Sequence, residues 1–411
     1  MGHHNKMGSE IGGMGRGRET SGMWRGREID CLLKIFSNSN LALTNPNLYT
    51  LTALQSLPVM SNLPLDIIID ILSRLPVKSL VRFLCVSNGW YILINGQAFI
   101  KLHLHRSIES NTDRTLIVQE QNSCIPFDYF SVSFHDENRF SKPLEIYQPL
   151  HCSNMSTDIL SSCNGLACIY NQWGEENAIW NPLIRKYRKL PSEPIEKPSG
   201  FSNSWPISLA FGYDSHNDDY KVLSVVRFFN MDKPGKEFEV KVSSLRLQCW
   251  KKIEDQWPNK EWSICSESVF SNGALHWLVA EEGQSPENIV AFDLATEKFR
   301  VIRTPLKAPT PTSCVTCLEV LGQLCFIVIV NEMYNDVWLM KEYGEESSWT
   351  WIYKIEQGVV GSTFEYCKPL MCSKNNRKKI LTEESHRYLT YLIWYDIEKK
   401  IRKRVKISKL P

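Results

Sequence analysis

The chain reads as a multidomain α+β protein: a small three-helix unit, then a large all-β, propeller-like domain of about six blades. Three observations predict this. Residues 63–104 carry apolar side chains at helical spacing. After Arg106 that period disappears, and short runs rich in Val, Ile, Tyr, Trp and Phe alternate with Gly, Asn, Asp and Pro turns. Within this second region a module recurs roughly every 50 residues, the period of a blade array.

The bulk numbers bound the rest. A chain of 411 residues has room for one small and one large domain. With 47 basic and 45 acidic residues there is no global attraction to nucleic acid or to an anionic membrane. Thirteen cysteines in so long a chain do not make a disulfide framework, and no secretory pattern of a basic start and an apolar core opens it. A reducing cytosol or nucleus is therefore the expected home. The longest apolar run, Leu324 to Val330, falls far short of the roughly 20 residues a membrane helix needs and reads as a core strand.

Residues 1–61 are expected to be disordered. Met1 to Gly26 is dense in Gly, Arg and Met without an apolar period, and Leu32 to Leu57 scatters apolar residues among Asn, Ser and Thr. Arg16, Arg18, Arg25 and Arg27 among glycines resemble an RNA-binding segment only weakly; a solvated tail is the simpler reading.

The helical unit spans residues 62–106. Pro64 suits a first helical turn and Asp66 a helix N-terminus, and Pro76 stops the first helix. A second short helix follows from about Lys78 to Leu84. Ser87 can cap a third, in which Trp90, Leu93 and Ile94 share a face, and Phe99, Ile100, Leu102 and Leu104 form a short apolar tail. On the first helix the apolar residues Leu65, Ile67, Ile68, Ile69, Ile71, Leu72 and Leu75 spread over about 200°, where an ordinary surface helix needs about 100°. More than half of the residues from Asn62 to Arg106 are apolar, against 43% for the chain, and so small a unit cannot enclose them all. The excess predicts a partner protein.

The β region, residues 107–411, shows its repeat best in two copies. Ser162 to Tyr170 aligns with Phe270 to Leu278, each with an Asn-Gly pair (Asn164-Gly165, Asn272-Gly273) that marks a tight turn before an apolar strand. Equivalent middle strands begin near Ile179, Val240, Val290, Val337 and Ile393, a spacing close to that of kelch-like blades. Thr115 to Val118 and Tyr129 to Phe134 supply a further unit. A closed ring of about six blades is expected; a pair of β-sandwiches without closure is the alternative.

Two resemblances follow from these residues. Leu63-Pro64, Ile71 to Leu80, Arg82-Phe83, Cys85 to Ser87, Trp90 and Phe99 resemble an F-box, with Asn88-Gly89 and Gly96-Gln97 as departures. Cys163 to Leu166, Ile179 to Pro182, Phe211 to Asp214, Asp219 to Val222, Trp250 to Ile253 and Asn272 to Trp277 resemble the kelch-like F-box-associated domain of plants. Within that family the chain is most similar, in general likeness rather than by any one motif, to S-locus F-box proteins of rosaceous plants, which engage stylar ribonucleases in self-incompatibility. The resemblance implies a substrate receptor of a Skp–cullin–F-box ubiquitin ligase. In it Leu63, Pro64, Ile67, Ile68, Ile71, Leu72, Leu75, Pro76 and Val81 would bury against a Skp-type adaptor that recruits a cullin–RING ligase. Leu80, Phe83, Leu84, Val86 and Trp90 would hold the helical unit together. The β domain would bind a target protein, a secreted-type ribonuclease on the narrower reading, through loops such as Glu193 to Ser204 or Glu281 to Asn288. A scaffold acting without cullin and a propeller-fold enzyme are the alternatives.

No catalytic site, cofactor or metal is expected. The chain holds no phosphate-binding loop, His-Glu metalloprotease helix, nucleophile elbow or kinase signature. Cys314 and Cys317 have the spacing of half a zinc site without a second pair; buried or idle thiols are the simpler reading. His103 and His105 are expected to face solvent, and His276 to be a half-buried strand residue. Asp214, Asp218 and Asp219 beside His216 are expected to form a solvated hairpin turn. The basic run Lys399 to Lys406 reads as a charged last edge strand rather than a nucleic-acid site.

Overall fold

The computed structural model describes residues 34–37, 63–110, 114–120, 128–136, 139–150, 157–171, 176–230, 235–305, 315–320, 323–330, 334–356, 366–373, 378–386 and 389–405. Most of the N-terminal segment and the Cys314 side of the Cys314/Cys317 pair lie outside them.

The helical unit has four helices where three were expected. They are α1 (Leu65–Leu72), α2 (Val77–Phe83), α3 (Asn88–Asn95) and α4 (Gln97–Ser110). Pro64 caps α1 with non-helical backbone and Asp66 sits in its first turn. The helix ends at Leu72, one turn before Pro76, which caps α2 instead. The Ser87 hydroxyl accepts from the Trp90 backbone N–H at 3.2 Å, the cap expected of α3. Gly96 leaves helical geometry for one residue, and the apolar tail then resumes as α4. The fourth helix hides in the sequence because its buried positions, Phe99, Ile100, His103 and Ser107, are half polar. Ile68, Leu72, Val77, Leu80, Leu93, Ile94, Phe99 and Ile100 form the bundle core, with Phe83, Leu84 and Trp90 packed on its margin. The Phe83 and Trp90 rings meet edge to face.

The remainder is a ring of six antiparallel sheets. Blade 1 holds β1 (Lys34–Ser37), β2 (Arg114–Glu120), β3 (Asp128–Asp136), β4 (Arg139–Phe140) and β5 (Leu144–Glu145). Blade 2 holds β6 (Thr157–Cys163), β7 (Leu166–Asn171), β8 (Glu176–Asn181) and β9 (Lys186–Lys189). Blade 3 holds β10 (Asn203–Asp214), β11 (Asp219–Phe229), β12 (Lys236–Ser244) and β13 (Trp250–Lys252). Blade 4 holds β14 (Trp262–Ile264), β15 (Val269–Ser271), β16 (Ala274–Glu281), β17 (Asn288–Asp293) and β18 (Lys298–Arg303). Blade 5 holds β19 (Val315–Val320), β20 (Gln323–Val330), β21 (Tyr334–Met340) and β22 (Trp349–Glu356). Blade 6 holds β23 (Tyr366–Cys372), β24 (Lys379–His386), β25 (Leu389–Asp396) and β26 (Ile401–Arg404).

The sequence repeat maps onto this ring strand by strand. Ile179, Val240, Val290, Val337 and Ile393 all lie on the third strand of their blades, β8, β12, β17, β21 and β25. Asn164-Gly165 and Asn272-Gly273 join β6 to β7 and β15 to β16, both residues of each pair with positive φ, as a two-residue hairpin turn requires. The described part of the basic C-terminal run carries β26, the outer strand of blade 6.

Ring closure, left open by the sequence, is decided by packing. A hydrophobic cluster fills each of the six gaps between neighbouring blades. The closing cluster joins Leu116, Val118, Phe130 and Val132 of blade 1 to Met371, Leu381, Leu392 and Trp394 of blade 6. Each such side chain contributes up to about 1.5–3 kcal/mol when withdrawn from water, so an open arrangement would forfeit on the order of 10 kcal/mol.

One strand corrects the expectation of a wholly disordered leader. Lys34–Ser37 pairs antiparallel with Arg114 to Ile117 and is the innermost strand of blade 1, touching β6 on one side and β23 on the other. The helical unit is thus inserted between the first and second strands of a blade.

Candidate functional site

Two surfaces carry the functional argument, and α4 fixes them relative to one another. The first lies on the helical unit. Leu63, Leu65, Ile67, Ile71, Val81 and Val86 are exposed, Ile71 to 49% and Val86 to 60%. Pro64 and Pro76 are exposed beside them. These residues form the unsheltered side of α1 and α2, an apolar patch that water should not face without a reason. Asp70 borders it, gripped by Nε and one terminal nitrogen of Arg74 at 3.0 Å and by Arg106 at 2.8 Å. Those hydrogen bonds, from Arg74 first and Arg106 next, hold its carboxyl below the usual range and staple α1 to α4.

The structure redistributes the residues assigned to this surface. Ile68 and Leu72 (1% exposed) were expected to meet a partner, but both point into the bundle core. Leu75 packs partly against the same core. Conversely Val86, expected to be a core residue, is solvent-exposed. The cause is single: so wide an apolar arc contains both an inward and an outward face, and the sequence does not say where the division falls. Leu80, Phe83, Leu84 and Trp90 sit in or against the core. His103 was expected in solvent but is buried, its Nε2 2.8 Å from the Leu75 carbonyl oxygen, whereas His105 is exposed beside Glu109.

The Asp214–Asp219 turn is more than a solvated hairpin. Asp214 is buried; its carboxylate accepts from the backbone N–H groups of His216 and Asn217 at 3.0 Å and pairs with Lys221 at 3.0 Å. Asp218 reaches across to the helical unit, accepting from Gln97 Nε2 at 2.8 Å, Lys101 Nζ at 2.7 Å and the Tyr213 hydroxyl at 2.5 Å. Burial works to raise the Asp218 carboxyl, but the bonds from Lys101 and Tyr213 outweigh it and keep it low. Ile184, in the β8–β9 turn, packs against the bundle core. These residues seat α4 on one face of the ring. Nothing in the sequence flags them, because Gln97 and Asp218 are 121 positions apart.

The opposite, free face follows from strand direction. Because β10 ends at Asp214 on the seated face, it begins, and β11 ends, on the free face. The stretches 190–203 and 282–287 therefore share that face with Asn230 and Gly235, and with them come both loops expected to meet a target. Asn230 binds back to the first stretch, donating to the Gly200 carbonyl at 2.7 Å and accepting from the Ser202 N–H at 2.7 Å. Between blades 3 and 4 this face opens into a cleft of about 590 Å³ lined by Arg227, Phe229, Lys236, Glu281 and Glu282, among others.

The buried titratable groups elsewhere are structural. His276, fully buried rather than half-buried, lies between the Val269 carbonyl and the Tyr343 hydroxyl, with Nε2 2.8 Å from the latter. Burial pushes its imidazole down to about 4. Among the described residues no three His, Cys, Asp or Glu side chains are grouped to hold a metal, and no helix is long and apolar enough to cross a membrane.

An F-box domain matches residues 60–102, and an F-box associated beta propeller domain matches residues 114–411. The chain belongs to the F-box proteins that carry this associated propeller. Among its relatives are three from Arabidopsis thaliana. F-box protein CPR1 is 32% identical, over 86% of each chain. F-box protein At4g22390 is 28% identical over 82% of this chain and 84% of its own. F-box/kelch-repeat protein At3g23880 is 28% identical over 72% of this chain and 79% of its own. These relatives are consistent with a plant F-box protein.

Proposed function

We propose that this chain is the substrate-recognition subunit of a Skp–cullin–F-box ubiquitin ligase acting in the cytoplasm or nucleus. Its helical unit docks a Skp-type adaptor, and through it a cullin–RING ligase, by Leu63, Pro64, Ile67, Ile71, Pro76 and Val81. The observation that carries this reading is the apolar patch of α1 and α2, which stays exposed with the propeller in place. The propeller binds the target on the face opposite the helical unit, where both long loops lie.

The chain supplies no nucleophile or general base on this reading. It holds target lysines near a charged conjugating enzyme, and the raised effective concentration is its whole contribution. The Gln97–Asp218–Lys101 seat supports that role, since a receptor that positions its cargo needs its two ends fixed relative to one another. Recognition of a stylar ribonuclease is the narrower form of the proposal; it rests on overall likeness to S-locus F-box proteins, and transcripts absent from pollen would remove it.

The test is affinity purification of the full chain from plant cells. Adaptor and cullin are expected together in the eluate. Adaptor without cullin would favour the scaffold reading, and neither would refute the assignment.

A further inference from the structure

We infer that the cleft between blades 3 and 4 on the free face binds an extended segment of a partner protein through one carboxylate side chain, anchored by Arg227. The inference deepens the target-binding role proposed above and rests on it.

Arg227 lies on β11, at the mouth of the core that joins the two blades. Its Nε is enclosed, and among the described residues nothing accepts a hydrogen bond from it and no carboxylate lies within ion-pair distance of its guanidinium. An enclosed Nε offers a ligand no surface, so a group in the cleft would meet the two terminal guanidinium nitrogens, for which no described residue supplies an acceptor. Phe229, two residues on and on the same side of the strand, sits under the guanidinium at 5.3 Å from its ring centre. Trp205 is the cross-strand neighbour of Arg227 and stands 55% exposed. An arginine flanked by two aromatic side chains at a cleft is the composition that dominates binding energy in protein interfaces. The planar fork of the guanidinium fits a carboxylate through two parallel hydrogen bonds.

The far wall decides which anion. Glu281 and Glu282 line it, with Lys236 only 3.6 Å from Glu282 and Gln284 donating to Glu281 at 3.0 Å. A doubly charged phosphate would meet this acidic wall, whereas a singly charged carboxylate near a Lys or Arg of the same segment satisfies both sides. The cleft, about 590 Å³, stands open to solvent rather than enclosed, which suits a side chain presented on a segment better than a buried small molecule.

The test uses the full chain co-expressed with a Skp-type adaptor and a phage-displayed random-peptide library. Enriched peptides are expected to share an Asp or Glu with a Lys or Arg close by. A resynthesised peptide should bind Arg227→Met about tenfold or more weakly than wild type, and Lys189→Met, on the same face, as wild type does. Changing the peptide's acid to its amide should cost wild type the same factor and Arg227→Met nothing further. No enrichment, peptides without an acid, tighter binding of a phosphoserine version, or indifference to Arg227→Met would each overturn the inference. Adaptor retained in the same preparations keeps such a failure separate from that of the ligase assignment, which loss of adaptor alone would sink.

Discussion

Ile71 and Leu72 are adjacent on α1 and should fail in opposite ways. Leu72 is 1% exposed inside an eight-residue core, so Leu72→Ala removes buried methyl groups and leaves a cavity, a loss of about 2–5 kcal/mol. A helical unit of this size has only a few kcal/mol to lose, at roughly 0.05–0.15 kcal/mol per residue. Leu72→Ala should therefore unfold much of it at 37 °C. Ile71 is 49% exposed, and Ile71→Arg should leave folding within about 0.5 kcal/mol of wild type. Against an adaptor the balance reverses. Covering the remaining half of Ile71 is worth about 1 kcal/mol, and a guanidinium in its place adds a desolvation penalty of several kcal/mol. Adaptor affinity should fall at least about a hundredfold. Thermal melts followed by circular dichroism, paired with calorimetric titration of the adaptor, separate the two effects. Adaptor binding by Ile71→Arg within about threefold of wild type, with its helices intact, would refute the placement of the interface on the exposed side of α1.

Because His276 titrates near 4 when buried and near 6.5 when unfolded, the unfolded chain holds the extra proton between those values; its contribution is full above pH 6.5 and is lost as pH falls toward 4, by about 3 kcal/mol in all. Stability measured by urea unfolding should drop between pH 7 and 5 in wild type and stay flatter in His276→Phe. A chain beginning at residue 38 lacks β1, so the edge of β2 loses its backbone partners and blade 1 its inner strand; a lower melting temperature and self-association by size-exclusion chromatography are expected, with helical content unchanged. Asp218→Lys places like charge against Lys101, itself half exposed, and should weaken the seating of α4 by up to about 1 kcal/mol, seen as a broader small-angle scattering envelope and faster cleavage after Ser110.

Much of this protein was legible in its residues because the information was local. Pro64 and Ser87 mark helix starts through their own backbone and hydroxyl chemistry, whereas Pro76, expected to stop the first helix, caps the second. Asn164-Gly165 and Asn272-Gly273 impose hairpins through positive φ. The spacing of Ile179, Val240, Val290, Val337 and Ile393 counts blades because each falls on the same strand of its sheet. The resemblances in Leu63 to Phe99 and Cys163 to Trp277 named the family for the same reason.

Tertiary structure decided what depends on partners far along the chain. It divided the wide apolar arc of α1, sending Ile68 and Leu72 inward and leaving Ile67 and Ile71 outside. It took Lys34–Ser37, featureless as sequence, into the ring against Arg114 to Ile117, on the far side of the whole helical unit. It turned the Asp218 hairpin into the seat for α4 and left Arg227 in a cleft without an acceptor among the described residues. A side chain's type states what it can bond to; only the closed ring, by bringing distant strands together, determines what it meets.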